Sequence, residues 1–173
     1  MKKILIVVDM QKDFVDGALG TKEAIAIVDN VVNKIESFDG DIIVTYDTHC
    51  QNYMETQEGK KLPVPHCIKG TDGWKLDSKV QAAVDKKGFY AIEKPTFGST
   101  ELVEYIKNNY DINDVEIELI GLCTDICVVS NALLLKASFT ETSISVDASC
   151  CAGVTVDSHN AALTTMKMCQ INI

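Results

Sequence analysis

The sequence VEIELIGLCTDICVVSNALLLKAS, residues 115–138, combines the two patterns that decide the fold. Residues 115–120 have the length and apolar content of a strand in a buried sheet. Residues 126–138 are apolar on almost every side, which is typical of a buried helix. A tight turn, residues 121–125, joins the two segments. A strand followed directly by such a helix predicts one unit of a parallel sheet that is covered by helices.

The same alternation extends along the rest of the chain. Further strands are predicted at residues 4–8, 42–46, 89–92 and 143–146, and helices around residues 25–35, 76–84, 102–106 and 157–168. Residues 171–173 are either a short sixth strand or a tail. We therefore expect one α/β domain over residues 1–173, with three α/β/α layers and a mostly parallel sheet of five or six strands.

The amino-acid composition indicates which kind of partner the protein binds and in which cellular compartment it is expected. The net charge is −9, and all 16 positive residues are lysines. An acidic chain without arginine argues against binding to nucleic acid or to an anionic membrane, because phosphate contacts need positive charge. The seven cysteines are an odd number, and neither a signal peptide nor a membrane-spanning apolar stretch is present. We expect a cytoplasmic protein with free thiols and a small-molecule partner.

Reactive side chains follow several of the predicted strands. Asp9 follows the first strand, Lys94 the third, and Cys127 the turn after the fourth. Ligands of open parallel sheets bind beyond the carboxyl ends of the strands, so these groups should meet. At the start of a helix, Cys127 would have a stabilised thiolate, Asp9 could take its proton and Lys94 could supply a counter-charge. A buried structural thiol, a capping carboxylate and a solvated lysine are the alternative interpretations.

The segment from Thr48 to about Gly73 has no clear period, and loops of this length are usually functional or disordered. His49 and His66 lie in this segment, at the same edge of the predicted sheet. From the residues alone, hydrogen bonding within the loop would account for both imidazoles.

Three motifs resemble those of the isochorismatase and nicotinamidase superfamily of cysteine hydrolases. DMQKDF at residues 9–14 resembles its D-x-Q-x-D-F segment, KPTFGS at residues 94–99 its K-x-x-F-x-[ST] segment, and GLCTDICV at residues 121–128 its G-x-x-T-D-x-C-V segment. The motifs occur in the family's order and span nearly the whole chain. The chain is therefore identified as a member of this superfamily.

The resemblance implies roles for particular residues. It implies a catalytic triad of Asp9, Lys94 and Cys127, a cis peptide before Cys123, and an oxyanion hole formed by the backbone N–H groups of Cys123 and Cys127. It also implies a divalent metal site, which would suit Zn²⁺ better than Fe²⁺ or Mn²⁺. The implied metal ligands are Asp47, His49, Glu58 and His66.

The resemblance further implies an amidohydrolase, with nicotinamide as the first substrate to consider and a homo-oligomer as the expected assembly. Phe14, Trp74 and Phe97 are candidates for the walls of a pocket that holds a flat substrate. Pro63 stands where many nicotinamidases have tryptophan, which removes one expected aromatic wall. Three alternatives remain: an amidohydrolase for N-carbamoyl or small aliphatic amides, an isochorismatase-like vinyl-ether hydrolase, and a non-catalytic thiol or metal-binding protein.

Overall fold

The computed structural model describes residues 1–173 and is built around one parallel sheet. The sheet has five strands in the order β3-β2-β1-β4-β5, and every neighbouring pair is parallel. The strands are β1 Lys2–Val8, β2 Asp41–Asp47, β3 Tyr90–Lys94, β4 Val115–Leu122 and β5 Ser143–Ala152. The predicted α/β class and parallel sheet are confirmed.

Seven α-helices accompany the strands. They are α1 Lys12–Val15, α2 Lys22–Ser37, α3 Gln57–Lys61, α4 Ser78–Lys87, α5 Thr100–Asn109, α6 Val129–Ser138 and α7 Val156–Met168. A single 3-10 turn covers Tyr53–Glu55, and a π-helical turn covers Thr124–Val128 immediately before α6. None of the helices combines the length and the apolar composition that crossing a membrane requires.

The helices cover both faces of the sheet, because alternate residues of each buried strand point to opposite sides. Leu5 and Val7 of β1 belong to a core shared with α2 and α4. Ile4, Ile6 and Val8 of the same strand belong to a second core, shared with α5, α6 and α7. The three predicted layers are therefore present, with the sheet in the middle.

The structure differs from the sequence-based boundaries at the end of the chain and in the long loop. Residues 171–173 form no sixth strand, since the only pairing there is an isolated bridge between Ser145 and Asn172. β5 continues to Ala152, beyond its predicted end, because a register shift opposite Leu119 and Gly121 lets its buried second half pair with β4. The long loop is not wholly irregular, since it contains the 3-10 turn and α3.

The strand order determines where a site can form. β1 lies at the centre of the sheet, between β2 and β4. The chain moves outward from β1 to β3 and then returns to β4 on the other side, so the direction of the connections reverses between β1 and β4. Such a reversal leaves a crevice at the carboxyl ends of the strands, where ligands of open α/β sheets bind.

Candidate active site

Asp9 occupies the centre of this crevice, directly after β1. Its backbone has φ of 46°, and its side chain is fully buried. The Asp9 N–H donates to the carbonyl of Thr45 at 3.2 Å, and the Thr45 hydroxyl donates to Asp9 Oδ1 at 2.7 Å. The other oxygen, Oδ2, lies 2.6 Å from Lys94 Nζ as an ion pair. The ammonium is not aligned for a regular hydrogen bond, so this ion pair is the one polar contact of Oδ2.

Lys94 is the last residue of β3, and its ammonium group connects the carboxylate to a thiol. Its Nζ donates to the carbonyl of Thr96 at 3.1 Å and to Cys127 Sγ at 3.4 Å. Burial alone would lower the pKa of Lys94, but the negative charge of Asp9 and the adjacent Cys127 raise it above its usual value. The lysine is therefore a buried cation in contact with both groups.

Cys127 lies in the π-helical turn, so α6 itself begins three residues later than the sequence pattern suggested. Its side chain is 4% exposed. Burial raises the pKa of the Cys127 thiol well above the usual value and Asp9 raises it further, while Lys94 only partly opposes them. Burial and Asp9 therefore favour the neutral thiol, against the helix N-terminus and Lys94, which favour the thiolate.

The turn that carries Cys127 is held in place by the side chain of Asn131, which is fully buried. Asn131 Nδ2 donates to the Cys127 carbonyl at 2.8 Å and to the Phe97 carbonyl at 3.0 Å. Its Oδ1 accepts the N–H of Ser99, the N-cap residue of α5, at 2.9 Å. One amide thus joins the thiol-bearing turn to the loop after Lys94. The sequence motifs do not include this residue, and its position on α6 gave no signal of such a contact.

A cis peptide precedes Cys123, as the resemblance implied. Cys123 and Cys127 bracket the N-terminal part of the π-helical turn, where backbone N–H groups lack the usual helical acceptors. Burial also raises the pKa of the Cys123 thiol, to about 12. The thiol of Cys123 is therefore neutral as well.

A second cluster lies beside the first and consists of the four predicted metal ligands. One ligand atom from each of Asp47, His49, Glu58 and His66 lies within 4.8 Å of the others. The two Nε2 atoms of His49 and His66 lie 3.0 and 3.4 Å from Asp47 Oδ2, and 3.6 and 3.7 Å from Glu58 Oε1.

These separations fit a metal ion. Ligands about 2.0–2.1 Å from a tetrahedral Zn²⁺ lie about 3.3–3.4 Å from one another, which is within the observed spread. His66 Nδ1 lies 2.8 Å from the Val64 carbonyl. Donation of an Nδ1 proton to that carbonyl leaves Nε2 as the free ligand atom, an arrangement typical of metal-binding histidines. The donor set of two imidazoles and two carboxylates can hold a divalent metal.

Asp47 links the two clusters. Burial alone would raise the pKa of this carboxyl, but hydrogen bonds with His49 and His66 hold it below its usual range. Its Oδ1 lies 3.8 Å from Lys94 Nζ. Gln11, the third residue of the first motif, makes two hydrogen bonds with the Asp47 backbone. Its Nε2 donates to the Asp47 carbonyl at 2.9 Å, and its Oε1 accepts the Asp47 N–H at 2.8 Å. Asp47 is thereby fixed between the histidines and the buried lysine.

A largely apolar cavity of about 340 Å³, including its open mouth, joins the thiol to the metal-binding group. Of the three predicted wall residues, Phe14 and Phe97 line it and Trp74 does not. Trp74 packs against Tyr46 at 5.2 Å between ring centroids and donates from Nε1 to Thr48 at 2.9 Å. The full lining is Phe14, Leu19, Asp47, Glu58, Leu62, His66, Phe97, Cys123, Ile126 and Cys127.

Sequence reasoning did not identify Leu19, Leu62 and Ile126 as part of this lining. Leu19 and Ile126 fall within or beside the recognised motifs, so their positions carried a usable signal. Leu62 follows α3 in the long loop and carried none. A larger groove between α2 and α7 contains no residue of the two clusters, so the smaller cavity is the candidate active site.

A parallel sheet with a thiol, a carboxylate and a buried ammonium group at its switch point defines the class of cysteine-hydrolase-like α/β proteins. The chain belongs to the isochorismatase family, since the model of the isochorismatase domain matches residues 3–173. It is a hydrolase that acts on non-peptide carbon–nitrogen amide bonds.

Relatives and solved structures agree with this assignment. An uncharacterised isochorismatase family protein of Bacillus subtilis is 33% identical over 77% of this chain and 78% of its own. A nicotinamidase/pyrazinamidase of Mycobacterium tuberculosis is 27% identical over 99% of this chain and 97% of its own. The crystal structure of a nicotinamidase/pyrazinamidase from Bacillus subtilis superposes with a TM-score of 0.86 at 26% identity, covering 99% of this chain and 98% of that one.

Proposed function

We propose that the protein is a nicotinamidase, which converts nicotinamide and water to nicotinate and ammonia through a thioester on Cys127. One observation carries the proposal: the Lys94 ammonium lies 2.6 Å from Asp9 Oδ2 and 3.4 Å from Cys127 Sγ. All three groups are buried, and Cys127 lines the cavity. This arrangement combines a nucleophile, a base and a counter-charge.

In the first step Asp9 takes the thiol proton as the sulfur attacks the amide carbon. Burial raises the pKa of Asp9, although Lys94 opposes this, and a carboxylate with a raised pKa is a stronger base. Since the resting thiol is neutral, the negative charge on sulfur develops only while the carbon–sulfur bond forms. Lys94 stabilises that charge without moving, because it already contacts Sγ.

The tetrahedral intermediate carries its negative charge on the former carbonyl oxygen. The backbone N–H groups of Cys123, which precedes the π-helical turn, and of Cys127 within it would donate to this oxyanion. Asp9 then gives its proton to the amide nitrogen, the carbon–nitrogen bond breaks, and ammonia leaves a thioester. Asp9 next deprotonates a water molecule that attacks the thioester carbon, and Cys127 leaves as the thiol with that proton.

The cavity supports a flat, partly polar substrate. Phe14 and Phe97 provide aromatic surface, while Asp47, Glu58 and His66 line the same space. These residues and His49 would hold a divalent metal, with Zn²⁺ favoured over Fe²⁺ or Mn²⁺ by the two imidazoles. The bound metal would supply a positively charged centre that the nitrogen of the substrate ring could coordinate. Such a substrate would span from the metal-binding group to the thiol.

Hydrolysis of another small amide is the second candidate, favoured by the aliphatic part of the wall. Leu62 lines the cavity, and its neighbour Pro63 is exposed, so no tryptophan closes this side. A panel of nicotinamide, pyrazinamide, N-carbamoyl amino acids and small aliphatic amides separates the two candidates. The highest kcat/KM for nicotinamide or pyrazinamide supports the proposal, and a clear preference for an aliphatic or N-carbamoyl amide replaces it.

The nucleophile is tested by comparing two buried cysteines. Cys127→Ala should reduce ammonia release by at least about a thousandfold, because no other group can form the thioester. Cys150→Ala is the matched control, since Cys150 is also buried (2% exposed) but lies outside the cavity lining. Circular dichroism should show that both variants are folded. Ammonia release by Cys127→Ala near the parent rate would refute the thioester mechanism.

A further inference from the structure

Thr45 is a polar residue in an apolar layer of the sheet. It lies on β2 opposite Val8 of β1 and Ile92 of β3, and both of these neighbours are buried apolar residues. Ile43, two residues earlier on the same strand, belongs to the same apolar core. Thr45 is itself fully buried. Packing alone would be satisfied by valine here, so the hydroxyl requires a separate explanation.

The hydroxyl has one hydrogen-bond acceptor, and that acceptor is Asp9 Oδ1 at 2.7 Å. Thr45 also binds Asp9 through the backbone, since its carbonyl accepts the Asp9 N–H at 3.2 Å. These two contacts hold both the backbone and one carboxylate oxygen of Asp9. The backbone contact would survive removal of the hydroxyl, so substitutions can separate the two.

The consequence concerns the second oxygen of Asp9. With Oδ1 fixed by Thr45, Oδ2 lies against Lys94 Nζ and has no aligned hydrogen-bond donor, although it is fully buried. Lys94 in turn contacts Cys127 Sγ. The orientation of Asp9 therefore places Oδ2 against the same ammonium group that contacts the thiol.

We propose that Thr45 is a positioning residue, whose hydroxyl orients Asp9 so that Oδ2 exchanges protons with Cys127. The inference rests on the proposed role of Asp9 as the base. Thr45 does not line the cavity and makes no contact with substrate in this scheme. Its effect would be on the proton transfer and not on substrate binding.

The test compares variants that remove or keep the hydroxyl. Thr45→Val removes it with little change in shape, Thr45→Ala removes it without adding bulk, and Thr45→Ser keeps it. Thr142→Val is the matched control, because the buried Thr142 hydroxyl donates a bond of the same length, 2.7 Å, to the Ile112 carbonyl, far from the site. Unfolding by urea would show what each hydroxyl contributes to stability alone.

We expect Thr45→Val and Thr45→Ala to lower kcat about tenfold to hundredfold, which is part of the effect of a general base, with KM within about twofold of the parent. Thr45→Ser should stay within about threefold of the parent kcat, and Thr142→Val should match the parent. A parent-like kcat in both hydroxyl-free variants would overturn the inference. So would a loss in Thr45→Ser equal to that in Thr45→Val.

The pH profile adds a measurement that a structural role would not change. The charged groups facing Asp9 are Lys94 and Asp47, and the titratable thiols near it are those of Cys67, Cys123 and Cys127; all remain in each variant. Loss of the donor to Oδ1 disfavours the carboxylate form, so the acid limb of kcat should move to higher pH in Thr45→Val and Thr45→Ala only. An unmoved acid limb would contradict the inference.

Alkylation of Cys127 by iodoacetamide, followed by peptide mass spectrometry, separates this inference from the proposed function. If the parent released no ammonia from any amide, the proposed function would fail while alkylation still reported on the Asp9–Cys127 pair. The acid limb of the alkylation rate should move to higher pH in Thr45→Val, and stay in place in Thr45→Ser and Thr142→Val. Identical alkylation profiles in all four proteins would overturn the positioning role by itself.

Discussion

Replacement of Lys94 by methionine should destabilise the protein by an amount that depends on pH. The side chains of Lys94 and Asp9 are both fully buried, and their charged atoms lie 2.6 Å apart. Removal of one partner from a buried ion pair costs about 3–5 kcal/mol, because the remaining charge has no counter-charge. For a chain of this length, the loss corresponds to a fall in Tm of about 6–20 °C.

The pH dependence arises because the buried carboxylate of Asp9 can become neutral by binding a proton. Burial raises the pKa of Asp9, and Lys94 is the largest influence against that rise. Without Lys94, the pKa in the folded state rises further above the unfolded value of about 3.9. The folded variant then binds more protons than the unfolded chain, so its stability falls as pH increases from that value to the folded pKa. The loss of stability caused by Lys94→Met should therefore be smallest at acidic pH.

The assay is urea unfolding followed by circular dichroism at about pH 4, near the unfolded pKa of Asp9, and at about pH 8. The double variant Asp9→Asn/Lys94→Met should be more stable than Lys94→Met at the higher pH, because it removes the Asp9 charge that has lost its counter-charge. Lys86→Met is the control, since its ion pair with Glu36 is exposed and contributes little. A penalty that does not vary with pH, or a double variant no more stable than the single one, would refute the reasoning.

Three further predictions concern the metal, the turn and the cavity. Asp47→Ala should lower bound divalent metal, measured by elemental analysis, from about one ion per chain to a trace, whereas the exposed Asp72→Ala should not; equal metal contents would exclude the site. Gly121→Ala should lower the free energy of unfolding in urea by at least about 2 kcal/mol, because φ of Gly121 is 117° and a Cβ would lie 2.1 Å from the Val8 carbonyl oxygen. Gly98→Ala is the control and should be nearly neutral, because the nearest atom to its added Cβ would be 3.6 Å away. Phe97→Ala should raise KM for nicotinamide about tenfold through lost ring contact, with little loss of stability because Phe97 is 42% exposed; an unchanged KM would remove it from the pocket.

The sheet was predictable because its signal is local. Each strand is a short apolar run, and all five were located from those runs. The convergence of Asp9, Lys94 and Cys127 was also predictable, since groups that follow parallel strands must meet at one edge of the sheet. His49 and His66 come from a loop, and only their resemblance to a family pattern predicted that they would meet Asp47 and Glu58.

The state of the thiol could not be predicted from sequence. A helix N-terminus favours a thiolate, whereas burial raises the pKa of the thiol, and the sequence does not show that Cys127 is almost completely buried beside Asp9. Trp74 is a similar case. An aromatic residue near the loop could face the cavity or the protein interior, and its contact with Tyr46 is set by the distant β2 strand. The role inferred for Thr45 had no sequence signal, because a threonine in a strand is ordinary.

The central position of β1 has a consequence for how the site is acquired during folding. Asp9 is 36 positions from Thr45, and Lys94 is 33 positions from Cys127, so these contacts of the triad join distant parts of the chain. Contacts of this kind form late, because the intervening loops must be closed first. A partly folded chain can therefore contain intact helices and strand pairs and still have no assembled triad. Turnover would then report the completion of the sheet more strictly than any measurement of helix content.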